Sequence, residues 1–326
     1  MTGWSRASAI WGGLVWLVLL VVLPLRTDEA ALIERLLLLA ILVFTPLALS
    51  LAATPDRAGR HPRSYRAAQS LQPFAAALAV VSFLLPAGIP AALFTLGWFS
   101  FTGLVALFGL VRFLPRGIAR ADETCIDAAL LYLPVGGVWL CLSRLGANPL
   151  GFSDTIVLLT AVHFHYAGFT LPILVGMTGR ALAEIRPSMW KAFRLVAAGV
   201  IAGPAFVAAG ITFSPLIEVI AAVILATSLI ILSLLTLFVI VPGIHGHLAR
   251  GLLFISAAAL IVGMLFASVY AVGEFTGTTV LSIPHMAQIH GLVNALGFVL
   301  CSLLAWSILR PESHLPAPET QPGSAM

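Results

Sequence analysis

Few side chains in this chain are equipped for chemistry, and those few stand in oily surroundings. In "AVHFHYAGFTLP", residues 161–172, His163 and His165 flank Phe164, and Tyr166, Gly168 and Pro172 follow. Near the C-terminus, "PHMAQIHGLVNALGF", residues 284–298, carries His285, Gln288, His290 and Asn294. A neutral imidazole donates one hydrogen bond and accepts another, or uses its lone pair to ligate a metal, and it titrates near physiological pH. Imidazoles in the middle of apolar runs are therefore candidates for solute binding, proton handling or metal ligation.

The elements that position them follow from composition. The chain has 326 residues, a mean hydropathy of +1.06 and 9% charged residues. A soluble domain carries about 25% charge, so this is a polytopic membrane protein. Its apolar runs are long and continuous rather than alternating, which selects an all-α bundle of membrane-spanning helices over a barrel. Ten spans are expected, near 8–25, 35–53, 71–86, 91–113, 125–143, 155–177, 195–213, 218–241, 251–272 and 285–309. Pro86, Gly88 and Pro90 make a tight break between the third and fourth. Residues 1–309 form one transmembrane domain, and 310–326, "RPESHLPAPETQPGSAM", reads as a disordered polar tail on the cytoplasmic side.

Loop charge sets the orientation, because Lys and Arg favour the cytoplasmic side. Arg6, Arg57, Arg60, Arg63, Arg66, Arg112, Arg116, Arg120, Arg180, Arg186, Lys191, Arg194, Arg250 and Arg310 fall on one side, and only Arg26, Arg35 and Arg144 on the other. That split of fourteen to three places both termini inside, in a bacterial cytoplasmic membrane. The net charge of +4 thus describes topology, not nucleic-acid binding. Cys125, Cys141 and Cys301 have unrelated spacings and read as packing residues.

On this topology His163 lies about 12 Å below the outer end of span six, within hydrocarbon, where an ionisable side chain is costly and usually functional. Pro172 cannot donate to the carbonyl of Gly168, so a distortion is expected just after the histidines. His290 and Asn294 share a face of span ten, and Tyr270 and Glu274 end span nine at a similar outer level. The expected pocket is His163, His165, Tyr166, Tyr270, Glu274, His290 and Asn294, with Gly168 and Pro172 shaping the helix and with His163, His165 and His290 as metal-ligand candidates. The alternative is a satisfied network that only holds helices together. His245 and His247 read as solvated loop residues, and "GVIAG", Gly199 to Gly203, as a close-packing motif before Pro204.

"HFHYAGF" and "HGLVNALGF" resemble the YndJ-like family of bacterial polytopic membrane proteins, mainly over residues 150–309. Members of that family are often labelled transporters. The resemblance implies that His163, His165, Tyr166, Gly168, His290 and Asn294 form a shared site, without naming its substrate.

Three functions fit. A transporter-like protein would bind a small solute or ion between distorted helices. A membrane metalloprotein or enzyme would use histidines of spans six and ten for zinc, copper, iron or haem. A sensor would need an output domain, and none is visible. No carboxylate is expected deep in a span, since Asp127, Asp154, Glu218 and Glu274 fall near span ends. The topology makes a direct prediction: reporter fusions at residues 60, 118, 185 and 247 report inside and one at 149 outside. An outside report at 118 or 185 would overturn it.

Overall fold

The computed structural model describes residues 3–22, 29–53, 60–278 and 280–311. Arg26, Arg57 and tail residues 312–326, all used in the sequence reading, lie outside the described residues. Among the described residues the chain is helical, without strands. Ten helices are long and apolar enough to cross a membrane: Gly3–Val21, Ala30–Ala52, Arg63–Leu84, Ile89–Phe113, Ala121–Leu145, Asp154–Ile185, Pro187–Phe213, Pro215–Gly243, His247–Phe275 and Ile283–Leu309. They are called spans one to ten. The count matches the hydropathy reading, but several spans run further. Span three is a full-length helix with Pro73 inside it, and span six continues to Ile185 rather than stopping near 177.

Spans two and six run through the middle. Some 89% of span two's apolar window and 67% of span six's is buried, against 22% for span one and 28% for span seven. Span two touches spans one, three, six and ten. Spans three, four and five pack in sequence on one side, and spans seven to ten on the other. Gly88 turns the chain between spans three and four at φ 147°, a region that favours glycine, and its N–H donates to Arg144 O at 2.8 Å. The Gly199–Gly203 motif does bring helices close. A Cβ at Gly199 would fall 2.2 Å from Ser228 Oγ on span eight, and one at Gly203 2.8 Å from Leu225.

Several spans contain widened, π-helical turns. In three of them the widening ends just before a proline: Ala40–Phe44 before Pro46, Phe164–Thr170 before Pro172, and Thr236–Ile240 before Pro242. At each, the residue preceding proline donates its N–H five residues back, Thr45 to Ala40, Leu171 to Tyr166 and Val241 to Thr236. A proline ring crowds the carbonyl four residues earlier, and one extra residue in the turn swings that carbonyl aside. Pro73, Pro134 and Pro204 sit in helices without such widening.

The arginine-rich ends of spans four, five and six form a buried ion-pair network. Arg112 and Arg180 are not solvated but buried, 7% and 3% exposed. Arg112 reaches Glu123 at 2.6 Å and Asp127 at 2.9 Å, and also bonds Ala52 O of span two. Arg180 holds both Glu123 oxygens, at 2.8 and 3.0 Å. Arg116 bonds Asp127 as well. In the loop, burial and then the neighbouring Arg112 push the Arg116 guanidinium down to about 10, so it stays charged at neutral pH. Asp127, expected near a span end, is fully buried, because span five begins at Ala121 rather than 125.

Glu123 therefore serves two buried cations. Removing it strips Arg180 of its carboxylate and leaves Arg112 with Asp127 alone, and breaking a buried pair costs about 3–5 kcal/mol. Glu123→Ala should lower the melting temperature of the detergent-purified protein far more than the exposed Glu274→Ala. Equal effects would show that the network contributes little to stability.

Candidate functional site

Span six opens with Ser153, whose hydroxyl accepts from the Ile156 N–H and caps the helix. Regular α-helix runs to His163 and the widened turn occupies Phe164–Thr170, so the distortion expected from Pro172 falls on the "HFHYAGF" stretch itself. Thr170 Oγ1 donates to His165 O at 2.9 Å and helps satisfy the loosened turn.

The two histidines of this stretch part company. His165 is fully buried. Its Nε2 accepts from Trp98 Nε1 of span four at 2.9 Å, and its Nδ1 lies 2.8 Å from Ala161 O. Indole N–H can only donate, so Nε2 is the bare nitrogen and Nδ1 carries the proton given to Ala161. The rings of Trp98 and His165 stack at 5.9 Å and 23°. Gly136 makes room, since a Cβ there would fall 2.7 Å from His165 Nδ1. Both nitrogens of His165 are thus spent inside the protein.

His163 is exposed, and its Nδ1 lies 2.8 Å from Leu159 O one turn earlier. A carbonyl can only accept, so the proton sits on Nδ1 and Nε2 carries a free lone pair. His290 repeats the arrangement from span ten, with Nδ1 2.9 Å from Gly263 O of span nine. The two imidazoles are near enough for charge on one to act on the other. Their neighbours Tyr166 and Gly291 both meet Leu36 of span two. Tyr166 OH donates to Leu36 O at 2.9 Å, and Gly291 lies against the Leu36 side chain, where a Cβ would be 2.9 Å from Cδ1. The Tyr166 ring meets Phe44 edge-on at 5.6 Å.

Asn294 supports His290 from the same helix. Its amide donates to His290 O at 2.8 Å and lies against Gly263, where a Cβ would meet it at 2.5 Å. Spans six and ten also touch directly nearer their arginine-side ends. Of the expected residues, then, His163 and His290 act on each other, Tyr166 meets span two, Asn294 turns to Gly263 of span nine and His165 to span four. Tyr270 interacts with Glu274, and Glu274 acts on Glu218 of span eight. Gly168 admits Tyr132 of span five, whose Cβ would be 3.3 Å from an added Cβ. Among the described residues no three His, Cys, Asp or Glu side chains converge as a metal-ligand set. His163 and His290 each keep one imidazole nitrogen without a hydrogen bond.

Sequence reasoning missed the Arg112–Glu123–Arg180 network and the Trp98 partner of His165. The first left a signal: Asp122, Glu123 and Asp127 directly follow three arginines. The second left none, because 67 residues separate Trp98 from His165.

The YndJ-like protein family matches residues 35–298. The uncharacterized membrane protein YndJ of Bacillus subtilis (strain 168) is 31% identical over 293 residues, covering 88% of this chain and 50% of that protein. The chain spans about half the length of this curated relative. No solved structure matches it.

The geometry of His165 carries its own prediction. Trp98→Phe keeps the ring contact but removes the only donor to Nε2, leaving a buried acceptor unpaired at a cost of about 1–3 kcal/mol. Thermal unfolding in detergent should register the loss. An unchanged melting temperature would mean that the Trp98–His165 bond holds nothing together.

Proposed function

Since the chain belongs to the YndJ-like family of membrane proteins and has ten helices long and apolar enough to span a bilayer, we propose that it is a transporter-like protein of the cytoplasmic membrane. On this reading it binds a small hydrogen-bond-donating solute between spans six and ten, in the half of the membrane away from the arginines. One observation carries the proposal. His163 and His290 each commit Nδ1–H to a backbone carbonyl and leave Nε2 bare, whereas His165 is filled on both sides. Two bare lone pairs in hydrocarbon call for an N–H or O–H donor, because an unmet polar group there costs several kcal/mol. Widened turns border both histidines, and such turns are frequent at functional sites.

The same lone pairs favour a second reading. Two Nε2 atoms from different helices are half of a tetrahedral zinc set, and imidazole suits copper and iron equally. In that case the protein is a metalloprotein whose remaining ligands come from the solute or from water.

Protein purified in mild detergent separates the two. Metal analysis and an absorption spectrum report a bound metal or haem, and thermal shifts against small polyols, amines and amides report a solute. His163→Ala and His290→Ala should each abolish the ligand-induced shift. Each should cost only about 1 kcal/mol of intrinsic stability, the value of one hydrogen bond. His285→Ala, which loses only an exposed contact with Ser282, should behave as wild type. Shifts retained in both variants would leave the two histidines as structural groups.

A further inference from the structure

A cavity of about 10 Å³ lies between spans six, eight, nine and ten. It is separate from His163 and His290, the site of the proposed function. Thr178 stands fifteen residues beyond His163 on span six, about 22 Å along the helix, and Ser302 twelve beyond His290, about 18 Å. The rest of the wall is aliphatic and aromatic, but five hydroxyls enter it: Thr178, Ser233, Thr236, Ser256 and Ser302.

Each hydroxyl has one proton to give and two lone pairs to offer. Here the protons are already committed. Thr178 donates to Leu174 O at 3.0 Å, Ser233 to Leu229 O at 2.9 Å, and Thr236 to Leu232 O at 2.9 Å. Ser256 donates to Phe298 O at 3.1 Å, which leaves Ser302 as the donor in the Ser256–Ser302 bond. The oxygens therefore present lone pairs to the cavity with no proton left over. An apolar void of this size would stay dry, whereas a polar one holds an occupant about the size of a water. A water has two protons for these oxygens, while a cation satisfies all of them at once.

The ligand chemistry narrows the choice. Neutral oxygens suit hard cations, not the transition metals that prefer nitrogen and sulfur. Calcium and magnesium sites draw on carboxylates, and no residue lining the cavity is charged. The widened turns Thr236–Ile240 and Val293–Leu300 border the wall and loosen backbone carbonyls, the feature that serves alkali cations in broken membrane helices. We propose that this hydroxyl-lined cavity binds one dehydrated monovalent alkali cation of about sodium's size.

The test uses the full chain in nanodiscs of neutral lipid. The melting temperature in sodium chloride should exceed that in choline chloride at equal ionic strength by about 2–4 °C, with potassium less effective. Radioactive sodium should bind saturably, one per chain. The double substitution Ser256→Ala, Ser302→Ala, and separately Thr236→Val, should each weaken sodium binding roughly tenfold or more. His163→Ala should bind sodium as wild type does, so failure at the histidines and failure here are distinguishable. If the substituted proteins do not fold, the wild-type salt series still decides. Equal melting temperatures in sodium and choline, without saturable sodium binding, would mean that the cavity holds only water and would overturn the proposal.

Discussion

Apart from Glu34, which pairs with Arg144 of span five at 3.8 Å, span two meets its neighbours mainly through backbone carbonyls, and those carbonyls tie the bundle together. Arg35 O accepts from Trp16 of span one, Leu36 O from Tyr166 of span six, Ile41 O from Gln72 of span three, and Ala52 O from Arg112 of span four. A carbonyl has two lone pairs, and a helix uses one. In water the second is taken by solvent. Inside a bilayer it is a fixed acceptor awaiting a donor, so a nearly apolar helix can still be addressed specifically from four sides. This is why the most buried span is also among the least polar. Leu36 receives Tyr166 through its oxygen and Gly291 through its side chain, and that one residue sets how spans six and ten approach.

The widened turns answer the same constraint along the helix. A proline deletes a donor and crowds a carbonyl, and in hydrocarbon neither fault is repaired by water. Three spans place the repair in the turn just before the proline. Threonine hydroxyls assist twice, Thr45 to Ala40 O and Thr170 to His165 O, each reaching five residues back. The repair has a chemical consequence in span six. His163 ends the regular helix while His165 lies inside the widened turn. One imidazole bonds Leu159 O and keeps a free nitrogen while the other is filled by Trp98 and Ala161 O, although they stand only two residues apart.

Much of this was legible in the sequence, and the remainder was hidden for physical reasons. Span number follows from apolar run length, which hydrocarbon thickness dictates directly. The distortion near Pro172 was legible because proline's fault is local. Its form was not, since a kink and a widened turn relieve the same clash and neighbouring helices choose between them. The burial of Arg112 and Arg180 was hidden because positive loop charge and buried ion pairs look alike until the acidic partner is placed. Glu123 of span five is eleven residues from Arg112 of span four but 57 from Arg180 of span six, and the distant partner is the one that local sequence cannot suggest. The roles of His163 and His165 were equally hidden, because depth and cost apply to both.

What separates those two histidines is a count of unfilled nitrogens. Burial alone would rank His165 above His163 as the group under stress, since it is the more enclosed. Yet a buried imidazole with Trp98 on one nitrogen and Ala161 O on the other has no capacity left, and changing its protonation or ligating a metal would break a bond that hydrocarbon cannot replace. His163 and His290 are each held by a single bond at Nδ1. That bond fixes the tautomer and aims the ring, as an outer-shell partner does for a metal-ligating histidine, and leaves the far nitrogen to face whatever enters. Within a bilayer a polar group with spare capacity is expensive to keep. His163 on span six and His290 on span ten each keep such a nitrogen, and that spare capacity is what the proposed function rests on.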